Sequence, residues 1–371
     1  MGNIISPPKE TIVLIPPRIS TRGLTRPIEL ENPMSVSFGN LFRREVLYDL
    51  HNFEGSVALD VLMAPETPAT LAAHLSMIGS VAGKKVTGGS LNLHLDSPLG
   101  EDMHAAGRLT LGNGSGVTGY GIISKEFHSG RISLTGSILD ASKVLVGVRG
   151  SSGGLSMGAE GPASDPVEAT AWAISRVENM FSVGVKGKPF KADASVEISA
   201  SIEKKIPNSD SSYAVSVTMP NLPSSGEVSV GFTQHLVTHR KVYNPFEDKR
   251  VKYIANYVDI AVEGTSEGGV AGGVSWQPNK NVLTKLHVST ARGAVASLAV
   301  RNWWVPSVLA SFSAGINAQG SPFLGLKLQL SNWVYSPVQY STGTSVNDLP
   351  ARSKWTSVRD LSALDPENRL V

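Results

Sequence analysis

The chain has 371 residues, of which 37 are glycine and none is cysteine; 41% are hydrophobic, only 17% are charged, and the formal net charge is +2. The missing thiols exclude disulfide scaffolds, thiolate zinc sites and cysteine nucleophiles. The near-neutral balance excludes a globally basic nucleic-acid binder, and no run of about 18 apolar residues offers a transmembrane helix.

Residues 1–34 read as an irregular, Pro-rich extension. The opening "MGNIIS" fits the N-myristoylation pattern and makes Gly2 a lipidation candidate. A single acyl chain would only supplement another membrane attachment. The start lacks the basic region and continuous apolar core of a secretory signal, and it is not Arg-rich as a mitochondrial presequence is.

From residue 35 to residue 341 short alternating segments recur, separated by Gly-, Asn-, Pro- and Ser-rich turns. "SLNLHLD" sets Leu91, Leu93 and Leu95 against Asn92, His94 and Asp96. "RISLTGSI" sets Ile132, Leu134 and Ile138 against Arg131, Ser133 and Thr135, and "KVLVGVR" sets three valines against Lys143, Gly147 and Arg149. The longest alternation is "KADASVEISASIEK", with Val196, Ile198 and Ile202 on one face and Asp193, Glu197 and Glu203 on the other. Side chains alternate across a strand, so each segment has one aliphatic and one polar face.

Two segments carry helix-start signals: Thr67–Pro68 in "ETPATLAAHLSMIG" and Asp165–Pro166 in "SDPVEATAWAISRVENM". Helix and strand both stay open for them. "HRKVYNPFEDKRVKY" (239–253) is the densest charge cluster, a solvated loop or a docking loop. Residues 342–371 lose the alternation and read as a tail.

About 300 alternating residues, at roughly 16 per strand and turn, predict an all-β fold of about 16–19 mostly antiparallel strands with one or two short helices. The polar faces are rich in Ser, Thr, Gly and Asn with sparse charges of both signs, and the best apolar faces carry no charge. That dyad pattern is expected of a transmembrane β-barrel, apolar toward lipid and polar toward the lumen. Trp303, Trp304, Trp333 and Tyr335 suit the aromatic girdle at a membrane interface, and core aromatics would look the same. A soluble β-rich module binding lipid or protein is the alternative reading.

Near the end, "FLGLKLQL" (323–330) resembles the C-terminal sorting strand of the mitochondrial porin superfamily, the voltage-dependent anion channel and protein-translocase pore type. The family pattern runs polar, any, Gly, any, any, hydrophobic, any, hydrophobic. Gly325, Leu328 and Leu330 match it, whereas Phe323 stands at the polar position. The resemblance implies a barrel of the mitochondrial outer membrane, a plastid envelope being the alternative. It would be a pore for solutes or polypeptides, or the membrane-embedded subunit of an import or tethering complex, with lipid and protein partners and no nucleic acid. Lumen-lining candidates are Asp60, His94, Asp96, Arg131, Lys143, Arg149, Asp193, Glu197, Glu203, Asp259, Glu263, Lys285, His287 and Lys327, whose mixed signs predict weak ion selectivity.

No enzyme, cofactor or metal is expected. "GSGVTG" (114–119) matches a dinucleotide fingerprint, yet strand-like residues follow it where a helix should start. "GSSGG" (150–154) matches a nucleophile elbow around Ser152, but its Gly-rich continuation predicts a hairpin turn. The histidines show no metal-ligand spacing.

Overall fold

The structure is a computed structural model. It describes residues 11–15, 19, 34, 37–49, 56–63, 70–80, 85–112, 116–140, 143–178, 180–191, 195–206, 211–222, 226–241, 251–302, 307–331 and 339–343. The fold is all-β, with one helix, α1 (Asn40–Leu47), among the described residues. Its strands are β1 (Thr11–Ile15), β2 (Ser56–Met63), β3 (Thr70–Ser80), β4 (Lys85–Pro98), β5 (Met103–Gly112), β6 (Gly116–Phe127) and β7 (Gly130–Asp140). There follow β8 (Lys143–Ser152), β9 (Leu155–Pro162), β10 (Thr170–Val177), β11 (Phe181–Gly187), β12 (Val196–Lys205), β13 (Ser212–Leu222) and β14 (Ser229–Lys241). The last are β15 (Val251–Thr265), β16 (Val270–Gln277), β17 (Val282–Ser289), β18 (Gly293–Asn302), β19 (Ser307–Ile316), β20 (Pro322–Ser331) and β21 (Gln339–Gly343).

All belong to one large, mostly antiparallel sheet. From β2 to β20 each strand pairs antiparallel with the next, as short hairpin connections require. One further ladder joins β20 to β2 in parallel, from Val57↔Leu326 to Leu62↔Ser331. The short β1 pairs in parallel with the start of β15 and antiparallel with β21.

The two faces of this sheet invert the usual rule of burial. In β7, Ile132, Leu134 and Ile138 are exposed while Ser133, Thr135 and Ser137 are buried. In β18, Leu298 and Val300 are exposed and Ser297 and Arg301 buried. In β20, Leu324 is 74% exposed and Gln329 only 5%. The leucine face of "FLGLKLQL" therefore points away from the protein's interior, and Gly325 lies on the buried, polar face. Small hydroxyl side chains suit that face, because they fit between ladder neighbours and satisfy their own polar atoms, as Ser297 and Ser313 do at 2.8 Å.

Among the described residues, three apolar clusters form where the N-terminal segment lies on the polar face. Ile19 meets Leu283, Ala299 and Leu309; Met34 and Phe38 meet Trp172 and Ile174; Val46 and Leu47 meet Ala261 and Ala271. β1 sits at the margin where odd-numbered strands begin, because it pairs with the start of β15, and β2 begins at the opposite margin. A strand therefore falls inside the stretch 1–34, and β21 straddles the 341/342 boundary.

Both helix-like segments turn out otherwise. The first is strand β3, in which Leu71, Ala73 and Leu75 stand opposite Leu95, Leu93 and Leu91 of β4. Its cap signal at Thr67–Pro68 lies outside the described residues. In the second, Asp165 does accept the N–H of Val167 at 3.1 Å and Pro166 does open a turn, but it is a single 3-10 turn, Pro166–Glu168. Pairing of β10 with β9 and β11 then overrides the local helix signal. Beyond the turn, hydrogen bonds from Lys188 and Lys191 hold the exposed Glu168 carboxyl down to about 2.

Two outcomes follow from these contacts. A Cβ on Gly158 would meet the Trp172 ring at 2.6 Å, so Gly158→Val should displace that ring, alter the near-ultraviolet circular dichroism and cost about 1–3 kcal/mol of stability. Replacing both Lys188 and Lys191 with Ala should return the Glu168 carboxyl toward 4.5; in the native protein the pairing contributes above that pH and is lost as pH falls through about 2. NMR titration of the Glu168 carboxyl checks the shift.

Candidate functional site

The site is the polar face together with the segment docked on it. α1 follows Gly39, whose φ of 70° places it in the left-handed region that favours glycine. Phe42, Val46 and Leu47 recur at helical spacing and turn one flank of α1 to the sheet, against β14, β15, β16 and β17. Gly273 makes room: a Cβ there would meet Leu47 at 2.9 Å. Gly231 likewise leaves space that the Arg43 guanidinium fills.

Arg43 is the central tether of the helix. Its Nη1 donates to the Phe38 carbonyl at 3.1 Å and to Ser216 Oγ at 2.6 Å, and Nη2 donates to Asn40 Oδ1. Its Nε lies 4.0 Å from the Glu263 carboxylate. At the other end of α1, Lys285 Nζ donates to the backbone carbonyls of Glu45 and Asp49, the latter at 3.1 Å. A lysine placed there serves carbonyls that a helix C-terminus leaves without intrahelical partners and complements the negative end of its dipole. Lys285 is 4% exposed and needs such acceptors to be buried charged. Tyr48 packs against the His287 ring at a centroid distance of 5.5 Å and carries the Arg292 guanidinium at 4.8 Å.

Elsewhere the polar face neutralises itself in pairs. Lys327 Nζ lies 3.1 Å from Asp60 across the parallel β2–β20 ladder. His235 Nδ1 and Asp259 Oδ1 are 2.5 Å apart, with the imidazole stacked on Tyr257. Lys186 meets Glu197 at 3.2 Å, Arg176 meets Glu203 at 2.9 Å, and Arg149 stands 3.6 Å from Glu160. Arg131 donates to Ser124 Oγ at 2.5 Å, and Arg108 donates to Asn92 Oδ1 at 2.7 Å.

Of the residues expected at a lumen, Glu263, Lys285 and His287 gather around α1, and Asp60 joins Lys327. Arg131, Arg149, Glu197, Glu203 and Asp259 occupy separate stations along the polar face. Lys143 stands exposed at the start of β8. Asp193 and Gly2 lie outside the described residues, as do the side chains of His94 and Asp96 and the residues Trp303, Trp304, Trp333 and Tyr335. Leu328 and Leu330 lie on the apolar face, opposite in direction to Gly325. Most of the charged cluster 239–253 is likewise outside the described residues.

Sequence reading missed Arg43, Glu45 and Tyr48 entirely, because α1 lies in a stretch assigned to strands. The signal was present in "NLFRREVLY", where Phe42, Val46 and Leu47 keep helical spacing. It also missed His235, Arg108 and Glu160, whose strands were not singled out for charge.

As chemistry, the arrangement holds charges of both signs in a hydroxyl-rich surface. Among the described residues no group of His, Asp and Glu could hold a metal ion. Ser152 ends β8 at a hairpin and donates to the Ser129 carbonyl at 2.7 Å. The residues 116–119 of the "GSGVTG" run lie in strand β6. No protein-family model matches this chain, and no curated protein matches it by sequence.

Leu47 is the apolar anchor of α1, so Leu47→Ala should cost about 2–5 kcal/mol of docking. Hydrogen exchange across residues 40–47 should accelerate, while that of β5–β8, which do not touch the helix, stays unchanged.

Proposed function

We propose that the sheet is a transmembrane β-barrel of an organellar outer membrane, acting as a pore partly filled by its own N-terminal segment. The observation that carries this reading is the inverted burial: aliphatic side chains stand exposed on strand after strand while Ser, Thr, Lys and Asp are buried. A soluble monomer rarely exposes more than a few hundred Å² of contiguous apolar surface, roughly what a handful of such side chains already makes. Lipid removes that cost, and it demands that every strand edge be paired. The parallel β2–β20 ladder and the Asp60–Lys327 pair across it support closure of the 19 strands from β2 to β20.

An odd strand count supports an organelle over a bacterial envelope, since bacterial single-chain barrels have even counts and mitochondria hold an odd-stranded one. The resemblance of "FLGLKLQL" to the mitochondrial sorting strand favours the mitochondrial outer membrane over a plastid envelope. Gly325 on the polar face and Leu328 and Leu330 on the apolar face agree with that role. Ion pairs of both signs along the lumen leave little net field, so weak selectivity is expected.

Reconstituted in a planar bilayer, the protein should conduct in discrete steps with modest preference for either ion sign. In membranes it should resist carbonate extraction. Ile198→Arg places a charge in lipid and should cost about 2–4 kcal/mol near the midplane, blocking insertion, whereas Glu197→Lys faces the lumen and should insert. Wild-type protein released by carbonate would overturn the barrel and favour a soluble binding module. An inserted protein that never conducts would favour a membrane-embedded subunit over a pore.

A further inference from the structure

β11 has seven residues and is the shortest strand from β2 to β20; its neighbour β10 has eight. A strand needs roughly 9–11 residues to cross a bilayer, so neither reaches across by itself. Their outward face is nonetheless apolar, with Val177, Val183 and Val185 exposed.

Two turns continue this low part of the wall at the margin where even-numbered strands begin. After β11 the N–H of Lys191 donates to the Lys188 carbonyl at 3.2 Å, closing a turn with Pro189 and Phe190 at its tip; proline suits the first central position of such a turn. Before β10 stands the 3-10 turn Pro166–Glu168. The Glu168 carboxylate accepts from Lys188 and, at 2.7 Å, from Lys191, so it clamps both ends of the first turn to the second. The clamp leaves two apolar side chains bare. Phe190 is 69% exposed and Val167 50%.

An aromatic ring at a braced tip, with a lysine on each flank, has the composition of a bilayer interface: the ring lies among the upper acyl chains and the ammonium groups lie near the phosphates. We propose that the two clamped turns are a membrane-interface anchor, in which Phe190 and Val167 enter the boundary between headgroups and acyl chains while Lys188 and Lys191 lie at the level of the lipid phosphates. Phospholipid is the occupant because the tips continue the exposed apolar face of β11 and supply the height that its seven residues lack. The anchor rests on the barrel reading above and adds where the bilayer meets the wall: on this side, at the turns themselves.

The chain has no cysteine, so single thiols can be introduced for a direct test. Phe190→Cys and, separately, Leu134→Cys in the full-length protein are labelled with bimane and reconstituted in phosphatidylcholine vesicles. Leu134 is exposed on the apolar face of β7 and reports on the barrel reading alone. A nitroxide carried on the acyl chain near the headgroup should quench the label at 190 several-fold more strongly than iodide in the water on either side. Strong iodide quenching at 190, with the label at 134 quenched by the nitroxide, overturns the anchor and leaves the barrel standing. A label at 190 shielded from both quenchers means that protein covers the tip, which also overturns the anchor. Nitroxide quenching at neither position overturns the barrel reading and the anchor with it. Nitroxide quenching at 190 alone overturns the barrel and leaves the anchor standing.

Discussion

Everything in this protein depends on the ladder between β2 and β20. A meander of 19 strands begins and ends with strands running in the same direction, so its two ends can meet only in parallel. Parallel pairing gains slightly less per residue, and here it is reinforced by an ion pair, Lys327 to Asp60, spanning the junction on the polar face. Asp60 is buried, and β20 brings a lysine to it. Without that ladder β2 and β20 would each present a bare row of N–H and C=O groups, the costliest feature a sheet can carry into an apolar medium.

The second constraint is how to fill a polar interior without stranding charges. Serine and threonine do most of it, and hydroxyls such as those of Ser297 and Ser313 reach each other across neighbouring strands. The N-terminal segment supplies the rest. It brings Arg43 to Ser216 and Glu263, and it offers backbone carbonyls to the buried Lys285 ammonium. The few apolar residues on the polar face, Trp172, Ile174, Leu283 and Leu309 among them, lie where this segment covers them.

Strand pattern was legible in the sequence because period-two alternation is a local property, and "RISLTGSI" and "KVLVGVR" display it without help from the rest of the chain. The sense of the faces was legible as well, from the lack of charge among the valines and leucines. The cap signals at Thr67–Pro68 and Asp165–Pro166 left helix and strand both open, since a cap fixes only where a helix could start; Leu71, Ala73 and Leu75 pair with β4, and that pairing decides. α1 was hidden for the opposite reason. Eight residues give barely two turns of periodicity, and the helix is held by Ser216, Glu263 and Lys285, all more than 170 positions away. No local reading can see such partners. The lumen candidates were chosen by face alone, so which charge meets which, as His235 meets Asp259, had to come from register.

The parallel ladder also carries a consequence for how the molecule is made. Its strands β2 and β20 lie far apart in the sequence, so the contact waits until residue 331 has been synthesised. Through all that time two hydrogen-bonding edges stay open, and a long separation between partners makes their meeting slow. The β2–β20 ladder is therefore a late pairing, set by the order in which its two strands are synthesised.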